Sequence, residues 1–409
     1  MDSTPWAVLV VAYRSADLLE TCLTSVERYL PDAEVHVWDN SGPGHDAVRG
    51  LARRMPAVHW YLGGDNIGFA AAVNALASQV PGRDLLLLNP DAELLGPLTG
   101  TRTALLDPRV AAAAPMTSEP PLDSSRAHRP WDVAHRRRTL VNSLGEMAIA
   151  AERTRGTPLS NLYRHRPDDV DGYLTGACLA IRRDAWDSLG PFDEEFFLYG
   201  EEADWQGRAI AAGRRVRLVD EIGIRHSARG TVAGDTAASQ RSWDLVTASF
   251  ALQLERRRGH LVAEVFLAGC HVIAAVKALL GRRRGHGAPS DVVLTVDDAR
   301  SPSTAAVVAL AGRLADGGRA VTVVSMERLG TLPRDLPPSV RLLRRPWWWA
   351  RTWPGDRTAV LVTGTSRREA RFARLYRVGR RAAAAHADGG VDGVLRALHD
   401  VDARDLEAI

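Results

Sequence analysis

Short apolar segments and amphipathic segments alternate along the first hundred residues. Residues 7–12 form a wholly apolar run, which is typical of a strand buried on both faces of a sheet. Apolar side chains then recur at helical spacing over residues 18–30, and Ser15 is placed to cap that helix. Repeated strand–helix units predict a parallel sheet, which binds ligands outside the carboxyl ends of its strands. Further strands are predicted at residues 34–38, 58–62 and 84–88, and further helices at residues 46–54 and 68–79.

The middle of the chain is less regular. Residues 116–170 are rich in proline and include the basic run 135–138, so we predict a long connection that contains one helix over residues 140–153. Regular patterning then returns. Strands are predicted at residues 172–182, 215–219 and 222–226, and helices at residues 183–189, 201–213 and 242–258.

Residues 261–280 form an amphipathic segment that is followed by three consecutive arginines. One interpretation is a helix that lies at a membrane surface with a basic flank. The other is a helix packed against the main domain. Titratable residues interrupt the segment, and no stretch of about 18 uncharged apolar residues is present, so no membrane-spanning helix is predicted.

Residues 281–290 combine glycine, proline and charge, which is typical of a domain boundary. The remainder alternates strands and helices again and predicts a second, Rossmann-like α/β unit. Its aromatic cluster at residues 346–349 suggests either a partner-binding patch or packing against the first domain. The predicted organisation is a main domain (1–240), an amphipathic helical region (241–284), a linker (285–290) and an accessory α/β domain (291–409). The strands of the accessory domain are predicted at residues 291–296, 320–325, 340–343 and 358–363, and its helices at residues 303–316, 367–387 and 391–398.

Charge and cysteine content narrow the class of protein. The 52 lysines and arginines nearly balance the 49 acids, giving a net charge of +3. Such a balance argues against a dedicated nucleic-acid binder, so no nucleic-acid partner is expected. Three widely spaced cysteines suggest neither a disulfide framework nor a metal motif, and residues 1–17 do not have the pattern of a signal peptide. We therefore expect a cytoplasmic protein.

Polar motifs follow the predicted strands. Asp39 and Asn40 end the second strand, where a carboxylate could accept hydrogen bonds from a nucleotide base or ribose, or could form an Asx turn. Asn66 could cap the next helix, while Gly68 would let the backbone approach a ligand closely. Asp91 and Glu93 come directly after an apolar strand. Two carboxylates at such a position could hold a hard divalent cation together with a substrate diphosphate.

A third acidic group begins the helix at residue 201. Glu201, Glu202 and Asp204 follow an aromatic run, and apolar neighbours would raise a carboxyl pKa towards that of a useful general base. An acidic helix start is also common for purely structural reasons. His226 could complete a carboxylate metal site, and Arg225 could face a diphosphate.

The order of these motifs resembles glycosyltransferase family 2, and within it the rhamnosyltransferase-like and galactofuranosyltransferase-like branch. The resemblance covers residues 6–230. It implies a GT-A fold, a nucleotide-sugar donor, Mg²⁺ or Mn²⁺ as cofactor, and inversion at the anomeric carbon. The motifs that carry it are Ala12-Tyr13-Arg14-Ser15, Asp39-Asn40-Ser41, Asn66-Ile67-Gly68-Phe69 with Asn74, Asn89-Pro90-Asp91, Gly176-Ala177-Cys178, Gly190-Pro191-Phe192-Asp193, Glu201-Glu202 and His226.

The resemblance also implies roles for individual residues. Asp91, with Glu93 and His226, would bind the metal, and Asp39 would contact the base. Glu202 takes the place of the catalytic acid, where the family more usually has Asp, so Glu201 and Asp204 stay open as alternative bases. The remaining predicted nucleotide-sugar contacts are Tyr13, Asn40, Asn66, Gly68, Phe69, Asn74, Asn89 and Arg225.

The predicted activity is transfer of rhamnose or another deoxysugar from a dTDP- or UDP-sugar to a glycan, lipid-linked or small-molecule acceptor, as in cell wall polysaccharide synthesis. Two alternatives are a nucleotidyltransferase and a non-catalytic binding subunit. The first would need a glycine-rich loop with lysine after the first strand, but Lys277 is the first lysine of the chain. We expect the C-terminal unit to be an accessory or homodimerisation domain, and residues 261–284 to allow peripheral contact with the inner face of the plasma membrane.

Overall fold

The computed structural model describes residues 5–42, 45–118, 129–226, 236–280, 290–300, 304–348, 360–364, 366–377 and 384–386. Internal contacts divide the chain into two compact units, Met1–Ala233 and Gly234–Ile409. The two long helices that we set apart as a separate region therefore fall within the second unit.

The first unit is built on a mixed sheet of eight strands in the order β3-β2-β1-β4-β9-β6-β10-β5. Most neighbouring strands are parallel, but β9 runs antiparallel to β4 and β6, and β5 runs antiparallel to β10. The predicted α/β class with a mostly parallel sheet is confirmed. The strands of this unit are β1 (Ala7–Ala12), β2 (Glu34–Asp39), β3 (His59–Tyr61), β4 (Leu85–Leu88), β5 (Ala92–Leu94), β6 (Val110–Ser118), β7 (Ala134–Arg136), β8 (Gly172–Leu174), β9 (Cys178–Ile181) and β10 (Arg215–His226).

Helices cover both faces of this sheet. Because side chains alternate along a strand, the residues of β1 divide between two cores. Leu9 and Val11 pack with Val73 and Leu76 on one face, whereas Val8 and Val10 lie in the core of the other face. The helices are α1 (Ala16–Tyr29), α2 (Ala47–Arg54), α3 (Phe69–Ser78), α4 (Thr99–Leu105), α5 (Leu140–Ala148), α6 (Arg183–Leu189) and α7 (Glu201–Ala211), with a 3₁₀ turn at Ala151–Thr154.

Several elements of the first unit differ from the sequence-based predictions. The segment 172–182 is two strands, and the two strands predicted over 215–226 are one, β10, with irregular register between Val219 and Ile222. The long connection begins later than predicted, because β6 continues to Ser118. The predictions also missed β5, β6, β7 and α4. Three of them, β5, β7 and α4, are short and have little periodicity, and β6 is rich in alanine, which is uncommon in strands.

The second unit is a smaller α/β unit with a parallel sheet of five strands in the order β13-β12-β11-β14-β15. The helix predicted over residues 367–387 ends at Arg377, and the short strand β15 lies within that range, so this prediction was wrong. The predicted helix 391–398 lies outside the described residues. The elements are α8 (Thr236–Arg258), α9 (His260–Leu279), β11 (Val292–Val296), α10 (Thr304–Asp316), β12 (Val321–Ser325), α11 (Leu332–Asp335), β13 (Arg341–Arg344), β14 (Val360–Thr363), α12 (Arg367–Arg377) and β15 (Ala384–His386).

The helix α9 packs against α8 through one of its sides. Ala263, Phe266 and Leu267 are buried, and the ring of Phe266 lies 6.4 Å from that of Phe250 on α8. By length and composition alone, residues His260–Lys277 could cross a membrane, with a mean hydropathy of 1.5 and 22% of the window buried. The window contains Glu264 and Lys277, so it is the same charge-interrupted segment that the sequence analysis identified.

The described tryptophans of the aromatic cluster after β13, Trp347 and Trp348, pack within the second unit. Trp347 packs against the core that contains Leu343 and Phe372, and the indole of Trp348 donates a hydrogen bond to Glu264 of α9 at 3.0 Å. Both of these tryptophans therefore contact residues of the second unit.

Candidate active site

The carboxyl edge of the first sheet gathers most of the predicted site residues. Asp39 ends β2, and Asn89 and Asp91 follow β4. The antiparallel strand β9 begins at the same edge, where the Asn89 N–H donates to the carbonyl of Ala177 at 3.0 Å. His226 ends β10 there, opposite Ala92. The topology of the sheet therefore brings together motifs that are far apart in the sequence.

Asp91 and His226 form a direct pair. His226 Nε2 lies 3.1 Å from Asp91 Oδ1, and the two side chains are 23% and 10% exposed. A carboxylate oxygen and an imidazole nitrogen this close, and still open to solvent, are a donor set that fits Mn²⁺ well and Mg²⁺ through its carboxylate. The two residues predicted to share a metal are thus neighbours in space.

Glu93 is not part of this pair. Alternation along β5 and β10 places Glu93 and its cross-strand neighbour Arg225 on the opposite face of the sheet from His226. Arg225 Nη1 donates to Glu93 Oε2 at 2.7 Å, and the two side chains are 59% and 36% exposed, respectively. The structure therefore joins Glu93 and Arg225 to each other, away from Asp91.

Asp39 and Asn40 are both buried, but they make different contacts. Asp39 Oδ1 accepts from the Ser41 N–H at 2.9 Å, which is the Asx turn considered above. Asn40 holds the loop before α3, because its Nδ2 donates to the Gly68 carbonyl at 2.9 Å and its Oδ1 accepts from the Ile67 N–H at 3.2 Å. Asn40 therefore positions a neighbouring loop.

That loop is in turn bonded to the segment before α7. The Phe69 N–H donates to the Phe197 carbonyl at 2.8 Å. Gly68 has φ +89°, and a Cβ there would lie 2.7 Å from the same carbonyl oxygen, so only glycine allows this approach. Gly68, rather than Asn66, is the N-cap of α3, and Asn66 Oδ1 instead accepts from the Gly68 N–H at 3.0 Å. The predicted capping role of Asn66 was therefore wrong.

Asn74 makes a second tie between these segments. Its amide donates to the Phe192 carbonyl and accepts from the Phe192 N–H, both at 3.0 Å. The same Nδ2 also lies 3.0 Å from Glu194 Oε1. These bonds fully engage Asn74 in fixing the 190–200 segment against α3.

Glu201 and Glu202 begin α7 at the end of this fixed segment. Glu201 is only 3% exposed, and its Oε2 has no hydrogen-bond partner among the residues that the structure describes. Burial, and then the neighbouring charge of Glu202, raise the pKa of Glu201 well above its usual value. Burial also raises the pKa of Glu202, although the Gly200 N–H donates to Glu202 Oε2 at 3.1 Å and partly opposes that rise. Both shifts oppose a state in which the two neighbouring carboxyls are charged at the same time.

The sequence analysis missed a buried cation beside this pair. Arg138 is 5% exposed and donates to Glu146 Oε2 at 3.2 Å and to the hydroxyl of Tyr173 at 3.1 Å. Its charge acts to lower the pKa of Glu202, and the charge of Glu202 helps to raise the pKa of Tyr173. The basic run 135–138 was the only signal, and it gave no indication that its last residue would be buried.

The remaining predicted residues lie around this edge. Asp204, an alternative base, accepts from Arg208 Nε at 3.1 Å one turn along α7 and forms an intrahelical ion pair. Tyr13 is half-buried, and Arg14 lies over its ring at 5.1 Å. Arg14 and Tyr199 both adopt left-handed backbone, with φ +50° and +70°. Such strain is often found at functional sites.

Comparisons with known proteins identify relatives. Two curated proteins of Mycobacterium tuberculosis, from strains CDC 1551 and H37Rv, are 27% identical over 251 residues. The match covers 56% of this chain and 78% of each relative. Both are named N-acetylglucosaminyl-diphospho-decaprenol L-rhamnosyltransferase. No family model matches the chain.

Solved structures are also similar. The mannosyltransferase PcManGT from Pyrobaculum calidifontis, in complex with GDP-Man and Mn²⁺, is 17% identical with a TM-score of 0.41, covering 68% of this chain and 78% of that chain. S. aureus TarS 1–349, in complex with UDP-GlcNAc, is 13% identical with a TM-score of 0.39, covering 69% of this chain and 76% of that chain.

Proposed function

We propose that the chain is a family 2-like glycosyltransferase with a GT-A fold, and that it moves a sugar from a nucleoside diphosphate to an acceptor hydroxyl in one inverting displacement. The acceptor oxygen bonds to the anomeric carbon as the bond from that carbon to the diphosphate oxygen breaks. The observation that carries the proposal is the Asp91–His226 pair at the carboxyl edge of the sheet, together with the hydrogen bond that joins the loop of Gly68 to the segment before Glu201 and Glu202.

Glu202 is the proposed general base. It accepts the proton of the acceptor hydroxyl, because its buried position raises its pKa towards the range where a carboxylate removes protons effectively. Glu201 is the member of the pair that keeps the proton, since its pKa is raised further and one of its oxygens has no hydrogen-bond donor to stabilise a negative charge. Asp204 is assigned to its ion pair with Arg208 rather than to catalysis.

Asp91 and His226 are the proposed ligands of a divalent cation, Mg²⁺ or Mn²⁺. When bound, such an ion would stabilise the charge that develops on the departing diphosphate. The loop of Gly68 and Phe69 holds the 190–200 segment in place, so that Glu202 meets the donor in a fixed position.

The donor and acceptor are proposed from the names of the curated relatives. Those names specify an L-rhamnosyl group and a diphospho-decaprenol acceptor. We therefore place dTDP-rhamnose first, with other dTDP- or UDP-sugars as alternatives, and a lipid-linked glycan of cell wall polysaccharide synthesis as the acceptor. A free glycan or a small molecule is the alternative acceptor.

A thermal-shift panel tests this assignment. The protein is heated with dTDP, UDP or GDP, with each corresponding nucleotide sugar, and with or without Mn²⁺ or Mg²⁺. A ligand that binds the folded state raises Tm by mass action. We expect one base to be preferred, and a metal-dependent part of the shift that disappears in Asp91→Asn. A panel in which no nucleotide shifts Tm, or in which Asp91→Asn responds like the unaltered chain, would contradict the proposal.

The exposed side of α9 is the proposed membrane contact. Leu261, Val265, Val272, Val276 and Leu279 recur at spacings of three, four and seven residues and are all exposed, so they form one apolar stripe. The opposite side of α9 is packed on α8, and three arginines follow the helix in the sequence. An apolar stripe with a basic flank fits a helix that lies on an anionic bilayer, where a lipid-linked acceptor would be found.

Vesicle flotation tests this contact. We expect the chain to float with phosphatidylglycerol vesicles and to bind phosphatidylcholine vesicles less. The double variant Val272→Glu/Leu279→Glu should remain with the soluble fraction. The control Leu106→Glu changes an equally exposed leucine of the first unit and should float normally. Equal flotation of both variants would exclude the α9 stripe as the contact. A homodimer formed through the second unit remains a separate prediction.

A further inference from the structure

A second cluster of ligand-type side chains lies at the opposite edge of the first sheet. Glu34 begins β2, His36 follows two residues later on the same face, and His59 lies directly across from His36 at the start of β3. The register of two parallel strands therefore places one carboxylate and two imidazoles side by side.

The distances within this cluster are close to those of ligands around one small ion. The rings of His36 and His59 are stacked with their centroids 4.5 Å apart, so the exposed ring of His59 would turn to direct its nitrogen at that ion. Glu34 Oε1 lies 2.9 Å from His36 Nε2 and 3.8 Å from His59 Nε2, and one donor atom of each residue lies within 4.8 Å of the others. Nitrogen and oxygen ligands at about 2.0–2.2 Å from a tetrahedral Zn²⁺ stand roughly 3.4 Å from each other. The observed separations lie on either side of that value.

Neighbouring residues hold the ligands in position. The hydroxyl of Tyr61 lies 3.2 Å from His36 Nδ1, which leaves Nε2 of the same ring facing Glu34. Arg83 Nε binds the other oxygen of Glu34 at 3.1 Å, which leaves Oε1 facing the histidines. Such outer contacts are typical of metal sites, because they fix the tautomer of a histidine and the orientation of a carboxylate.

We propose that Glu34, His36 and His59 bind Zn²⁺, with a water molecule as the remaining ligand. Imidazole ligands favour Zn²⁺ over Mg²⁺. His36 is 3% exposed and His59 is 57% exposed, so the site is anchored in the sheet and open to solvent on one side. Asp39 ends the strand that Glu34 begins, and five residues of strand span about 17 Å, so this site is separate from the Asp91–His226 pair.

The position of the site suggests what the ion does. β3 is a three-residue strand at the edge of the sheet, and it leads into the loop that contains Asn66 and Gly68. An ion shared between β2 and β3 would crosslink this short edge strand to its neighbour. We therefore expect Zn²⁺ to raise Tm without being required for the sugar transfer itself.

Calorimetric titration of the full chain with ZnCl₂ in saturating Mg²⁺ tests the proposal, with Co²⁺ absorption as a check on tetrahedral coordination. We expect one equivalent of Zn²⁺, and at least a tenfold loss of affinity in His59→Ala and in Glu34→Gln. His165→Ala removes an exposed histidine of the same unit and should bind as the unaltered chain does. Asp91→Asn should also keep Zn²⁺ binding, which separates this site from the proposed catalytic metal.

Two results would overturn the proposal. One is the absence of saturable Zn²⁺ binding by the unaltered chain. The other is equal affinity in His59→Ala and His165→Ala. Because His59 and Glu34 are partly exposed, their variants are expected to fold, and circular dichroism checks this before each titration.

Discussion

The two units of this chain have parallel strands that end in acidic residues, but the acids meet different partners. In the first unit, Asp91 lies against the imidazole of His226, and Glu201 is buried with its Oε2 unbonded among the described residues. In the second unit, Asp297 follows β11 and is paired with Arg368, which also contacts Glu327. A shared architecture thus carries two different electrostatic arrangements.

Glu369, in the first turn of the last described helix, shows the same contrast between the two units. Glu369 of α12 is buried, as Glu201 of α7 is, but it accepts hydrogen bonds from the N–H groups of Gly364 and Ser366 and from the hydroxyl of Thr295. A carboxylate that accepts three hydrogen bonds from protein donors has a structural role. What distinguishes the proposed catalytic unit is therefore the buried Glu201, whose Oε2 has no such donor among the described residues, rather than the sheet that presents it.

The largest expected effect comes from Glu202→Gln. Glutamine keeps the size of the side chain but cannot accept the acceptor proton, so the rate of transfer should fall by about 10²–10⁴-fold. The control Asp204→Asn removes a carboxyl from the same helical turn, one that is paired with Arg208, and should change the rate by only a few-fold. The rate at which nucleoside diphosphate is released measures the activity of both variants. A normal rate in Glu202→Gln would show that another residue is the general base.

Asp91→Asn tests the comparison between the two units directly. Loss of the charge should weaken stabilisation of the leaving diphosphate and lower kcat by roughly 10²–10³-fold. The matched variant Asp297→Asn changes an acid that likewise follows a central parallel strand, and it should leave kcat unchanged. Initial rates at saturating donor, over a range of Mn²⁺ concentrations, measure the effect. A comparable loss in Asp297→Asn would show that the second unit takes part in the reaction.

The elements that could be predicted from the sequence are those with strong local patterns. β1 and α6 were predicted with their observed bounds. A wholly apolar run and a short amphipathic repeat each identify an element without any information about distant residues. The antiparallel insertion of β9 between β4 and β6 could not be predicted, since strand order depends on contacts between residues that are distant in the sequence.

The same limit applies to the site. The pairing of Asp91 with His226 was expected from the order of motifs, and the structure places the two side chains together. The separation of Glu93 from that pair follows from alternation along β5, which becomes visible only once β5 is known to be a strand. Arg138 was missed because burial of a charged side chain leaves no signal in the local sequence.

Gly68→Ala should have an intermediate effect. It should weaken the hydrogen bond between the loop of Gly68 and Phe69 and the segment before Glu202. The new Cβ would clash with the Phe197 carbonyl, and alanine also disfavours φ +89°. We expect a several-fold rise in the KM for the donor and a loss of Tm. The control Gly82→Ala has a similar φ of +76° but no atom within 4 Å, so it should lose about 1–2 kcal/mol of stability without changing KM. Equal KM values in the two variants would show that the contact with Phe197 is not needed for donor binding.

The smallest expected effect is a pH-dependent gain of stability in Glu201→Gln. Because burial raises the pKa of Glu201 in the folded state, the folded chain keeps a proton that the unfolded chain releases. The stabilising contribution of the protonated form is therefore full below the pKa of the unfolded chain and is lost as pH rises through the raised pKa. Glutamine resembles the protonated form at every pH, so the variant should match the unaltered chain near pH 4 and exceed its Tm increasingly towards pH 8.

A gain of roughly 2–4 °C corresponds to about 1 kcal/mol in a domain of this size. Thermal melts across this pH range measure the gain, and Glu27→Gln, an exposed change on α1, should show none. A Tm difference that did not vary with pH would mean that Glu201 is not the member of the pair that holds the proton.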